Sequence, residues 1–174
     1  MKNFSNISNS KILVVAPHPD DEVIGMGGTL IKMIENKCDV HVIFFTLKDN
    51  PDIYAESKKS AKHNGFEYTH LGFQRRNIPT NVDELAELRE LLIELRPDSI
   101  FLPFMLDDHE DHRRCSDVLA SLAPSLQESK INPEIWAYQV YTALPLNTVI
   151  NVSDVIEQKK NAIRVYKSCF KSRD

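Results

Sequence analysis

A chain of 174 residues with 42% hydrophobic and 26% charged residues has the composition of one soluble globular domain. About 70% of the unfolded surface can be buried at this length, so neither disulfides nor a structural metal is needed to hold a core, and a metal site here would be functional. Lys and Arg total 21 against 25 Asp and Glu, and the net charge of -4 without a basic run argues against nucleic acid or an anionic membrane as partner and points to small molecules.

Residues 1–10 are polar and Asn/Ser-rich, lack a charged n-region and an apolar h-region, and read as a flexible leader rather than a secretory signal. The β-branched run from Lys11 to Ala16 predicts a strand buried on both faces, ended by Pro17 and Pro19. A helix is expected from Val23 to Glu35, with Gly25, Gly27 and Gly28 signalling close approach of its backbone to something. Strand 39–47, a helix at about 54–64 capped by Gly65, and strand 67–71 follow. A helix at about 82–95 is opened by Asn81 and Glu84 in capping-box spacing and stopped by Pro97. Strand 99–104, a helix from 113 to 122 or a little beyond, strands 134–141 and 149–152, and a helix at about 154–167 complete the chain. The alternation predicts a single Rossmann-like α/β domain over 1–174, three layers with a mainly parallel sheet and helices on both faces. The longest apolar runs fall well short of the roughly 20 residues of a membrane span. Cys38, Cys115 and Cys169 match no Cys-x-x-Cys pattern and read as reduced thiols of a cytoplasmic protein.

Ligands bind at the carboxyl ends of the strands of open parallel sheets. The first such end carries Pro17-His18-Pro19-Asp20-Asp21-Glu22, and the fourth carries Asp107-Asp108-His109-Glu110-Asp111-His112. Together these segments hold three of the six histidines and seven of the 25 acidic residues. Imidazole with carboxylate suits a borderline divalent ion, and three protein ligands with an open position is the usual catalytic zinc arrangement. His18 and Asp21 have i,i+3 spacing, as do His109 and His112, so each pair can face one point from a single turn. There are more candidate ligands than a catalytic site needs, which leaves some for proton transfer and charge stabilisation.

With Ala16 to Glu22, Gly27-Gly28-Thr29 and the later His109-x-Asp111-His112, the chain resembles the LmbE-like or PIG-L family of zinc-dependent N-deacetylases from Lys11 to about Ser168. That resemblance implies that His18, Asp21 and His112 bind Zn2+, with another divalent metal such as Fe2+ as the alternative. It further implies that Asp20 serves as general base, that His109 polarises or protonates the substrate, and that Asp111 orients a histidine. The substrate would be a small N-acetylated sugar or its conjugate, and a homo-oligomer is compatible with the family. Two departures stand out. Family members often carry an arginine three residues before the glutamate that opens the second helix, and Ile53 holds that position before Glu56. Where they read Ser-Gln and continue, this chain reads Ser168-Cys169-Phe170 and ends at Asp174, short for the family.

The rival readings are a non-haem iron oxygenase, which shares a two-histidine, one-carboxylate ligand set, a receiver-like signalling module, and a metal-binding pseudoenzyme. Gly25-x-Gly27-Gly28 does not fit a dinucleotide fingerprint. The Gln74-Arg75-Arg76-Asn77 segment reads as a solvated loop, His41, His63 and His70 as structural, and Trp136, Tyr138 and Tyr141 as core.

Overall fold

The computed structural model describes residues 8–46 and 51–169, so most of the expected leader, Leu47, and residues 170–174 lie outside the described residues. Its elements are β1 (Lys11–Ala16), α1 (Asp21–Glu35), β2 (Asp39–Thr46), α2 (Pro51–Asn64), β3 (Glu67–Phe73), α3 (Ala86–Leu95), β4 (Ser99–Pro103), α4 (Glu110–Glu128), β5 (Glu134–Tyr138) and α5 (Ile156–Ile163). Short 3-10 turns at Ser153–Val155 and Lys167–Cys169 bracket α5. The five strands pair in the order β3-β2-β1-β4-β5, all parallel. This is the Rossmann-like α/β layout that the alternation predicts.

β1 lies between β2 and β4, with Val14 opposite Val42 on one side and Phe101 on the other, which explains its unbroken apolar run. One core face packs Leu13, Ile43 and Ile100 against Leu88 and Leu92 of α3 and Cys115, Val118 and Leu122 of α4. The opposite face packs Ile12, Val14 and Phe44 against Met26, Leu30 and Met33 of α1 and Ala61 of α2. The strand order reverses direction between β1 and β4, so the loops leaving these two strands open side by side at the switch point of the sheet. Both motif segments occupy these loops.

Four sequence expectations are corrected. The helix expected from 82 begins at Ala86, because Asn81 closes a turn, its Oδ1 accepting from the Asp83 amide at 3.1 Å. The fourth helix starts at Glu110 rather than 113, which puts Asp111 and His112 in its first turn. Strand 134–141 ends at Tyr138, whose carbonyl takes the Phe104 amide at 2.9 Å as the chain turns away. Residues 149–152 form no strand; Val152 instead presses on α1.

That contact explains the glycines. A Cβ at Gly28 would lie 2.7 Å from Val152 Cβ, and one at Gly25 would lie 2.5 Å from the Tyr138 ring. The close approach is to the chain itself, not to a ligand. The C-terminal turn is clasped to α2, with the Ser168 amide donating to Glu56 Oε1 at 3.0 Å and the Ser168 hydroxyl donating to Glu56 Oε2. Cys38, Cys115 and Cys169 are free thiols, the first two buried.

Candidate active site and metal centre

Pro17 and Pro19 end β1, and the chain enters α1 through Asp20, whose φ of 116° and ψ of -28° lie in the left-handed region. That conformation costs a residue with a side chain about 1–3 kcal/mol and persists only where the surroundings impose it. The Asp20 side chain makes no capping hydrogen bond to the helix. Asp21, the first helical residue, turns inward and is 1% exposed. Its Oδ2 accepts from the His18 amide at 2.9 Å and lies 3.0 Å from His18 Nδ1 and 3.3 Å from His112 Nε2.

From the β4 side, His109 caps α4, and its Nδ1 accepts from the Asp111 amide at 3.1 Å. A neutral ring that accepts at Nδ1 carries its proton on Nε2, so His109 offers a donor there rather than a lone pair. The His18 and His109 rings meet edge to face, with centroids 4.7 Å apart.

Both other rings are backed by carboxylates. His18 Nε2 lies 2.8 Å from Asp111 Oδ2, and His112 Nδ1 lies 3.1 Å from Asp107 Oδ1. Asp111 is fixed in turn by the Arg76 amide, which donates to its Oδ1 at 2.8 Å. Asp107 accepts from the amides of His109 at 3.0 Å, Tyr141 at 3.0 Å and Thr142 at 3.2 Å. A carboxylate hydrogen-bonded behind an imidazole, as Asp111 is behind His18, fixes ring orientation and raises basicity in metal sites.

The electrostatics follow from this packing. Burial by itself would lower the His18 pKa, but the Asp111 and Asp21 carboxylates outweigh it and hold the ring above its ordinary value. Burial would raise Asp21, yet His112 and His18 hold its carboxyl well below the usual range. Asp107 and Asp111 are likewise lowered against the effect of burial, the first by backbone donors and the second by His18. His109 is lowered by burial and then by the neighbouring His18 and His112. Burial pushes Glu22 up to about 7, against the donors of Tyr166, Asp20 and Ser60.

Among the described residues one group of ligand atoms, that of the three motif histidines, meets the spacing of a metal site, and a second arrangement exchanges one of its members. One nitrogen from each of His18, His109 and His112 falls within 4.8 Å of the others. In the second set Asp21 replaces His109, and its two close distances, 3.0 and 3.3 Å, match the roughly 3.3 Å between neighbouring ligands set by tetrahedral bonds of about 2.0–2.1 Å. His112 strengthens the fit: both its nitrogens are buried and neither has hydrogen-bond geometry to the carboxylates beside it. The second set also leaves the His109 proton where its own hydrogen bond puts it. The residues present therefore fit a divalent metal.

The fold thus brings His18, Asp21, His109, Asp111 and His112 together, with partly buried Asp20 at the rim. Asp108 and Glu110 face solvent. His41 bonds Thr69 at 2.9 Å, His70 stacks on Phe44, and His63 is exposed on α2, all outside the cluster. Tyr141 is corrected from core residue to wall of the site: it is 60% exposed and stacks on His112 at 5.2 Å and 7°. The loop read as merely solvated carries the Arg76 amide that fixes Asp111. Asp107 lies inside the motif segment but its place beside His112 is not legible from sequence, because its spacing to His112 matches no helical face. A groove of about 920 Å³ between α1 and β5 contains none of the motif histidines or aspartates, so it lies apart from this chemistry.

The GlcNAc-PI de-N-acetylase family model (PIG-L) matches residues 13–123, which span both motif segments. The chain belongs to this family. It is 26% identical over 197 aligned residues to a diacetylchitobiose deacetylase of Thermococcus kodakarensis, covering 92% of this chain and 70% of the relative. The structure of N,N'-diacetylchitobiose deacetylase from Pyrococcus horikoshii, complexed with its inhibitor, superposes with a TM-score of 0.79 at 27% identity, covering 94% of this chain and 72% of that one. The conserved protein TT1542 from Thermus thermophilus superposes with a TM-score of 0.78 at 25% identity, covering 91% and 79% of the two chains. Both deacetylases act, by their names, on an N-acetylated sugar. No helix among the described residues of this chain is long and apolar enough to cross a membrane.

Proposed function

We propose that this PIG-L family member is a zinc-dependent hydrolase that removes the N-acetyl group from an amino sugar or its glycoconjugate. The observation that carries this reading is the convergence of Asp21 Oδ2 on His18 Nδ1 and His112 Nε2, with a carboxylate behind each ring. Family membership and the two sugar deacetylases among its relatives support the substrate class. His18, Asp21 and His112 would hold the metal, and Asp111 would orient the His18 imidazole. Zinc held there supplies a Lewis acid and lowers the pKa of a bound water to about 7.

The chain's own groups do the rest. Asp20, at the rim, takes the proton of the attacking water. His109 presents its Nε2 proton to the carbonyl oxygen as negative charge develops there. The leaving nitrogen collects a proton from Asp20 or His109, so water is added across the C–N bond and acetate and a free amine are released. Tyr141, flat against His112, forms an aromatic wall on which the apolar face of a sugar ring can lie. Two histidines and one carboxylate also suit Fe2+, so the native metal is a separate question from the reaction.

The test is a free-amine release assay over a panel of N-acetylated amino sugars and glycoconjugates, run on the purified chain as isolated, after chelation, and after zinc is restored. Amine should appear, vanish with chelation and return with zinc. Absence of amine from every compound in the zinc-loaded chain would refute the hydrolase reading.

A further inference from the structure

Glu22 has no place in the metal site or in the reaction described, yet it is 0% exposed and satisfied on both oxygens. Its Oε2 accepts the Asp20 amide at 3.0 Å. Its Oε1 accepts the Tyr166 hydroxyl at 2.5 Å and the Ser60 hydroxyl at 3.0 Å. Ser60 and Tyr166 are also 0% exposed, and Ser60 Oγ in turn accepts from Asn64 Nδ2 at 3.2 Å. Three separate parts of the chain, namely α1, α2 and the turn after α5, therefore meet on one carboxylate.

Asp20 sits in a left-handed conformation with no hydrogen bond from its side chain to the helix it precedes. Such a conformation persists only where the surroundings impose it. Its amide points to Glu22, and a glutamate side chain has several rotamers of comparable energy unless its carboxylate is pinned. Tyr166 and Ser60 pin it from the far side, in a closed pocket where bonds to a carboxylate are strong.

Resting on the reading of Asp20 as general base, we propose that Tyr166 is a positioning residue, acting through Glu22 to hold the Asp20 backbone in its left-handed conformation. The linkage spans 144 positions of sequence, and it makes the C-terminal turn part of the machinery that aims the base. Tyr166 and Glu22 touch neither substrate nor metal ligands in this scheme. Misplacement of a catalytic group by fractions of an ångström costs rate without removing substrate contacts.

The experiment compares the zinc-loaded parent with Tyr166→Phe, which removes only the hydroxyl, and Glu22→Ala, which removes the link. Amide hydrogen exchange at Asp20 is read by NMR beside Leu30 in the same helix, and kcat, KM and zinc content are measured in parallel. Tyr166→Phe should speed exchange at Asp20 about 10-fold with Leu30 unchanged, lower kcat about 10-fold, and leave KM and zinc content within about two-fold of the parent. Glu22→Ala should do the same more strongly. Unchanged Asp20 exchange in Tyr166→Phe would overturn the proposal. So would a fall in activity matched by zinc loss or by faster exchange at Leu30, which marks general loosening. The exchange arm needs no activity, so failure of the hydrolase reading would show as absent amine release in the parent, while the exchange result still decides the linkage.

Discussion

Gly27 and Gly28 are neighbours in α1, yet the structure predicts opposite consequences for replacing them with alanine. A Cβ at Gly28 would stand 2.7 Å from both Val152 Cβ and Val152 Cγ1 and 3.1 Å from Cγ2, where ordinary contact begins at 3.4 Å. Val152 cannot swing away as a long side chain could, because its Cβ is fixed to the backbone that enters the turn Ser153–Val155, and Val155 is buried. Overpacking of this kind costs about 1–3 kcal/mol, against a gain of about 0.8–1 kcal/mol from replacing glycine in a helix. Gly28→Ala should therefore lose up to about 2 kcal/mol. At Gly27 the nearest atom is Lys159 Cγ at 3.2 Å, which must give by a few tenths of an ångström while its Nζ stays bonded to the Ile24 carbonyl at 2.9 Å, so part of the helix gain should survive and Gly27→Ala should gain up to about 0.5 kcal/mol. Thermal unfolding of the metal-free proteins reads the difference, at about 2–4 °C per kcal/mol for a chain of this size. A Gly28→Ala melting temperature equal to or above that of Gly27→Ala would show that Val152 does not cover α1 as described.

Asp20→Asn should keep zinc and lose about 10²- to 10⁴-fold in kcat, the usual worth of general acid–base catalysis, as measured by steady-state amine release. His109→Ala should also keep zinc and lose about 10²- to 10³-fold in kcat with a smaller change in KM, because its donor acts on charge that develops only in the transition state. His70, stacked on Phe44 and partly buried, has its pKa lowered by burial from 6.5 to about 4. Its contribution to stability is complete above pH 6.5 and is lost as pH falls toward 4, because the unfolded chain takes up the proton first. Discounted for partial exposure, this amounts to about 1–2 kcal/mol, so urea unfolding of His70→Phe should lose that much less stability than the parent between pH 6.5 and 4. Equal losses in the two proteins would remove His70 as the cause.

Where one signal dominates locally, the sequence and the structure agree closely. The apolar run Lys11–Ala16 ends at Pro17 because a proline cannot donate to a central strand, and the residues of β1 agree to the position. The two motif segments were legible as a pair because parallel alternation alone puts both at one sheet edge. What escaped detection depends on contacts between distant segments. The hydrogen bonds from the Tyr141 and Thr142 amides to Asp107 and from the Arg76 amide to Asp111, and the Tyr166–Glu22 pair, leave no periodic trace. Tyr141 departs from its expected place for a related reason: Trp136, Tyr138 and Tyr141 read as one strand, but β5 ends at Tyr138 and the turn carries Tyr141 onto His112. The capping box at Asn81 is a false local signal, since the Asn81 side chain accepts from the Asp83 amide and closes a turn ahead of α3.

In the proposed metal site Asp21, not His109, joins His18 and His112. Metal analysis of Asp21→Asn and His109→Ala beside the parent, each loaded with zinc and then dialysed, tests it most directly. The geometry predicts that His109→Ala retains the same zinc content per chain as the parent, while Asp21→Asn loses most of it and still unfolds cooperatively. Zinc retained in Asp21→Asn but lost in His109→Ala would contradict the account and assign the metal to the three histidines.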